Sequence, residues 1–131
     1  MATLRVITRI GHLTFPHLQT RNQCKAPGHR DYRYELKVSC GWGTRLDKLG
    51  FIIDHQHLDS AVQNIELDSC ERMGAQIISQ VSRTLISRRV PYTQIHLRLQ
   101  PILNSGEEMK AFFEIFHRRR FSWLRLFLDS L

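Results

Sequence analysis

The hydrophobic pattern changes period twice along this chain, and that change limits its fold more than any other feature. In "DYRYELKVSC" Tyr32, Tyr34, Leu36 and Val38 fall on one side and Arg33, Glu35 and Lys37 on the other. This is the period of a half-buried antiparallel strand. "YTQIHLRLQPI" repeats the pattern, with Ile95, Leu97 and Leu99 alternating against Gln94, His96 and Arg98. Between them the period lengthens. In "HLDSAVQNIEL" Leu58, Ala61, Val62 and Ile65 fit a helical stripe, as do Met73, Ile77, Ile78, Val81 and Leu85 in "DSCERMGAQIISQVSRTLISRRV". Asp68 or Ser69 caps this second helix, Glu71 sits in its first turn, and Pro91 stops it.

The flanks complete the order. Residues 3–17 read as a strand broken near Pro16, followed by a polar loop containing Pro27-Gly28. "FIID" reads as a short strand. "LNSGEE" is a turn, and "MKAFFEIFH" after it is read as a strand. The tail "RRRFSWLRLFLDSL" has Phe121, Leu124, Leu128 and Leu131 at helical spacing. The expected fold is therefore α+β: a four-stranded antiparallel sheet with two helices on one face, ordered ββααββ, plus a short C-terminal helix. Residues 1–117 form one domain and residues 118–131 a basic-aromatic tail.

Composition supports a folded chain and narrows its chemistry less. Of 131 residues 42% are hydrophobic and 24% charged, an ordinary globular balance. The net charge of +7 favours an anionic partner or simple solubility. Three cysteines without a CxxC make neither a disulfide framework nor a zinc ribbon. No run approaches the roughly 18 apolar residues of a spanning helix. The N-terminus lacks the features of a secretory signal, so the expected setting is cytoplasmic.

Several stretches resemble the tunnelling-fold family, in the branch containing 6-pyruvoyltetrahydropterin and 6-carboxytetrahydropterin synthases. "LGFIIDHQHLD" is similar to the family's "tGwiiDFxxLK" at Gly50, Ile52, Ile53, Asp54 and Leu58. "DSCERMGAQIISQV" resembles "NPTsExLAxwI" at Glu71 and the helix behind it. "LTFPH" resembles "FxAaH", which puts His17 on the first zinc histidine. "CKAPGHRDY" resembles "CxxxHGHxY/F", which puts Cys24 on the nucleophile and Tyr32 on the strand aromatic. The likeness spans most of residues 3–116 and implies zinc, a pterin substrate and a homo-oligomeric barrel.

The departures bear on activity. The family holds zinc with three histidines and leaves one position for substrate. In this alignment two of those histidines fall on Gly28 and Arg30, with His29 between them, and a one-residue shift on a strand turns a side chain to the other face. The family's Asp-His pair between the helices is missing, since Ile65 runs almost directly into Asp68. Where the family anchors pterin with a Glu, this chain has Gln100-Pro101. Gln can accept one hydrogen bond and donate another, and Gln anchors the ring in some purine-binding members of the wider fold.

The expectation is a divergent, non-catalytic homo-oligomer without a required cofactor, binding a pterin- or purine-like ring near Gln100 at a subunit interface. The alternative is a zinc-dependent synthase-like lyase using Cys24 with His17 and His29. A second alternative is a basic nucleic-acid-binding module. Asp54 is expected to cap a helix, with a metal or ligand site including His55 and His57 as the competing reading. Glu71 is a helix-dipole partner or a ligand contact. The tail packs on a sheet or a neighbouring subunit, or meets nucleic acid or a membrane surface.

Overall fold

In a computed structural model, residues 4–15, 31–41, 46, 50–103, 106–108 and 110–119 are described. They form strands β1 (Leu4–Thr14) and β2 (Asp31–Gly41), helices α1 (His55–Gln63) and α2 (Cys70–Ser87), then strands β3 (Tyr92–Ile102) and β4 (Phe113–Arg118). The strands make one antiparallel sheet in the order β1-β2-β3-β4. An α+β fold with a four-stranded sheet and two helices follows directly. The expected tail helix lies outside the described residues. β4 runs through Arg118, so the expected domain boundary at 117/118 falls inside a strand.

Period-2 alternation sorts the strands into two faces. The first face carries Tyr34, Leu36 and Val38 of β2 opposite Leu99, Leu97 and Ile95 of β3. Leu36, Val38, Ile95, Leu97 and Leu99 have no exposed surface and share one core with Leu58, Val62, Met73, Ile77, Val81 and Leu85 of the helices. The helical stripes read from spacing are therefore the buried stripes, except that Ile65 lies past the end of α1 and packs partly buried against the core. Fully burying a Leu or Ile side chain contributes roughly 1.5–3 kcal/mol, so this joint core is the main source of stability.

Particular contacts tie each helix to first-face residues. Arg9 of β1 reaches Asp59 of α1. The Tyr92 and Ser82 hydroxyls lie 2.7 Å apart. A Cβ on Gly74 of α2 would come within 2.8 Å of the Phe113 ring of β4, so the ring requires a glycine there.

Helix ends follow local chemistry. Asp54 caps α1, its carboxylate accepting from the Gln56 N–H at 3.0 Å. Ser69 caps α2 and accepts from the Arg72 N–H. At the other end of α2 the Val90 N–H donates to the Leu85 carbonyl and the Arg89 N–H to that of Ile86. This is a Schellman ending with Arg89 in the left-handed region at φ 58°, a position usually held by glycine. The expected strand "FIID" is not a strand. Gly50 turns the chain at φ 88°, and no strand among the described residues lies beside 51–54 to form a ladder. Ile53 is buried in the core while Asp54 turns to its capping role. α1 is also displaced from its expected span, beginning at His55 and ending at Gln63.

Candidate functional site

The second face of the sheet is polar at its centre and apolar at both margins. Along β2, Glu35 stands between Arg33 at 3.8 Å and Lys37 at 3.3 Å. Glu108 reaches Arg33 at 3.6 Å. On β3, His96 Nε2 lies 3.1 Å from Glu114 Oε1 of β4. The His96 ring also stacks on Phe116, with centroids 4.2 Å apart and an interplanar angle of 3°. The Arg98 guanidinium lies 3.6 Å above the Phe112 ring, and its Nε has no hydrogen-bond partner among the described residues. A cation over an aromatic face is held by the ring quadrupole, which fixes Arg98 without a carboxylate.

Gln100 is on this face, directly across from Arg33 in the β2–β3 register. It is only 8% exposed and is the one buried polar residue among those described. Its amide can donate and accept beside a guanidinium, which suits the edge of a planar heterocycle. The β1 margin carries Val6 and Ile10, exposed at 52% and 54%, and the β4 margin carries Phe112 and Phe116 at 45% and 59%.

The other sequence candidates separate. Asp54 is a cap, as its spacing implies. His55 and His57 stand in the first turn of α1. Glu71 is exposed in the first turn of α2, a dipole position on a different element from Gln100. Cys24, His17 and His29 lie outside the described residues, as does the tail from 120 onward. Among the described residues no group of three or more His, Cys, Asp or Glu is placed to hold a metal ion. Burial pushes both the Cys40 and Cys70 thiols up, with Glu71 acting in the same direction on Cys70, so neither is an activated thiolate. No helix among the described residues is long and apolar enough to cross a membrane.

A polar network that pattern reading missed joins β1 to α1. Arg9 Nε donates to Asp59 Oδ1 at 3.0 Å, and a second guanidinium nitrogen meets Oδ2 at 2.6 Å. The Tyr34 hydroxyl bonds with Asp59 and with Gln63, and the Gln63 amide donates to the His12 carbonyl. Gly11 makes room for Tyr34, since a Cβ there would come within 2.5 Å of the Tyr34 hydroxyl oxygen. The Arg9 hydrogen bond holds the Asp59 carboxyl below its usual range, against the opposing effect of burial. Burial likewise raises the Tyr34 phenol, and pushes that of Tyr32 up to about 12. The one sequence signal was Arg9 itself, a charge at an inward position of an alternating strand.

Comparison with family models, with curated proteins and with solved structures finds no match to this chain.

Proposed function

We propose that this chain is a divergent, non-catalytic tunnelling-fold protein whose copies close into a ring through their sheet edges. In this reading both helices cover the first face, in keeping with the contacts of Asp59, Ser82 and Gly74. The observation that carries the proposal is the distribution of apolar residues on the second face. Val6 and Ile10 stand on one outer strand, and Phe112 and Phe116 stand at the other. Among the described residues nothing pairs with the outer edge of β1 or of β4. β1 and β4 run antiparallel, so a second copy's β1 can extend the sheet beside β4 with the alternation unbroken. That pairing merges the two apolar margins into one strip, and repeating it around an axis removes every free edge.

The second face near Gln100 then borders a junction between copies. There Gln100 anchors a pterin- or purine-like ring, with Arg33 and Arg98 beside it. Loss of the pterin-synthase chemistry is supported by Gly28 and Arg30 at the zinc-histidine positions and by the absent Asp-His pair.

The test is the native mass of the untagged protein by light scattering, with zinc content measured on the same sample. The expected result is a closed oligomer, reduced to monomer by Val6→Lys or Phe116→Lys with the circular dichroism spectrum retained. A folded monomer in the unaltered protein would overturn the assembly. Near one zinc per chain, lost on His17→Ala, would overturn the non-catalytic reading and favour the lyase using Cys24, His17 and His29.

A further inference from the structure

The folded domain is electrically polarised along its strands. The rows of the sheet show it. Arg5 pairs with Cys40, and Cys40 with Tyr92. One row further in lie Val6, Ser39, Gln94 and Arg118. Arg119 follows, its guanidinium 5.0 Å from the Tyr92 ring centre and its backbone N–H on the Thr93 carbonyl. The Schellman turn delivers Arg88 and Arg89 just before Tyr92, both exposed. Arg5, Arg88, Arg89, Arg118 and Arg119 therefore share one end of the domain.

Most of the described carboxylates lie elsewhere; Asp54 is the exception, because α1 runs back along β1 with Gln63 at His12 and Asp59 at Arg9, which sets its capping residue toward the Arg5 end. The described ones nearest along the sheet, Glu35 and Glu114, occupy the row of Ile10 and Arg98. That row is four residues from Arg118, or roughly 13 Å at the rise of a strand. This exceeds the Debye length of about 8 Å at physiological salt, so these acids scarcely offset the arginines. Glu71, at the far end of α2, is about 25 Å from Arg88 at helical rise. Arg33, Lys37 and Arg72 all have carboxylate partners. Among the described residues none bridges Arg5, Arg88, Arg89 or Arg118.

We infer that this arginine end is a docking surface for the phosphodiester backbone of single-stranded nucleic acid, read without base specificity. Guanidinium forks match phosphate oxygens and are weakly hydrated, so a group composed wholly of arginine suits phosphate better than lysines would. From Arg5 on one outer strand to Arg118 on the other is about three strand spacings, or roughly 14 Å. Arg5 stands on the first face with Cys40 and Arg118 on the second with Gln94, so the arginines are spread across the end of the sheet, which suits several phosphates of one polyanion better than a single phosphate. Exposed apolar side chains, Val6 in the row of Arg118 and Phe116 two residues before it, also flank the cations, so binding to vesicles is the competing outcome that the experiment must separate. The inference is independent of ring closure; in a cyclic assembly all the arginine ends would lie on one rim.

The experiment is fluorescence anisotropy of a labelled oligouridine about 16 nucleotides long, titrated with full-length protein between about 50 and 200 mM salt. The double variant Arg88→Gln/Arg118→Gln is expected to reduce the slope of log affinity against log salt by about 1.4, roughly 0.7 per lost phosphate contact. Its affinity at the lowest salt should fall more than tenfold. Arg72→Gln, at the opposite end of α2, should leave both unchanged. Three results would overturn the proposal: no binding by the unaltered protein, equal losses in the Arg72 and double variants, or loss on Arg120→Gln/Arg125→Gln with the double variant unaffected. Binding to anionic phosphatidylserine vesicles without binding to oligouridine would also overturn it and assign the surface to lipid. Circular dichroism and native mass on the same samples separate these outcomes from misfolding or a failure to assemble.

Discussion

Substituting Gly74 by alanine sets two effects of known sign against each other. In a helix interior Gly→Ala ordinarily stabilises by about 0.5–1 kcal/mol, because alanine has less backbone freedom to lose. At this position the new Cβ would meet Phe113 Cε1 at 2.8 Å, with the next two ring atoms at 3.5 and 3.7 Å. Carbon atoms prefer about 3.5–4.0 Å, so the ring or the helix must move. Phe113 is half-buried and paired with Leu99 through the β4 ladder, which limits its retreat. Overpacking of this kind costs about 1–3 kcal/mol. The net expectation is a loss of about 1–2 kcal/mol, read as a lower urea midpoint at unchanged m-value. Phe113→Ala removes the obstacle, and in that background Gly74→Ala should stabilise by about 0.5–1 kcal/mol. The double-mutant cycle then yields a coupling of about 1–3 kcal/mol. An equal effect of Gly74→Ala in both backgrounds would refute the packing of α2 on β4. Stabilisation in the unaltered protein would show that ring contact does not select this glycine.

Other substitutions probe separate parts of the fold. Asp59→Asn should cost up to about 1 kcal/mol at neutral pH, because the pair with Arg9 is about one-third exposed and solvent screens it. The Asp59 carboxyl is depressed in the folded protein, so its contribution is present above the unfolded value of about 3.9 and lost as pH falls through the lower folded value. Denaturation of both proteins should accordingly show their difference shrinking below about pH 4; a constant difference would rule out the ion pair as its source. Arg89→Gly should raise stability by about 0.5–1 kcal/mol, since the left-handed conformation costs an L-residue about 1–2 kcal/mol and glycine's greater chain entropy returns part of it. A lower thermal midpoint for Arg89→Gly would argue against the Schellman ending. Asp54→Ala should cost about 1 kcal/mol through loss of the cap on the Gln56 N–H, and Asp54→Ser should recover most of it by the same denaturation assay.

The sequence by itself determined the elements that depend on local periodicity and local bonds. The alternation of β2 and β3, the stripes of α1 and α2, and the capping by Asp54 each involve residues only a few positions apart. Each was legible because its physics is short-ranged. "FIID" misled because a β-branched apolar run meets the local requirements of a strand, whereas a strand also needs a neighbour to share its hydrogen bonds. Gln100 was singled out only through the resemblance to the tunnelling-fold family, and its burial and its place across from Arg33 depend on the β2–β3 register. The tertiary structure alone decided which distant residues meet. Arg9 finds Asp59 fifty positions away, Gly11 yields to Tyr34, and Gly74 to Phe113. It also gathered arginines from β1, the end of α2 and the end of β4 at one end of the sheet. None of these pairings carries a local signature, because each forms only when the register and the packing of the helices bring separate stretches together.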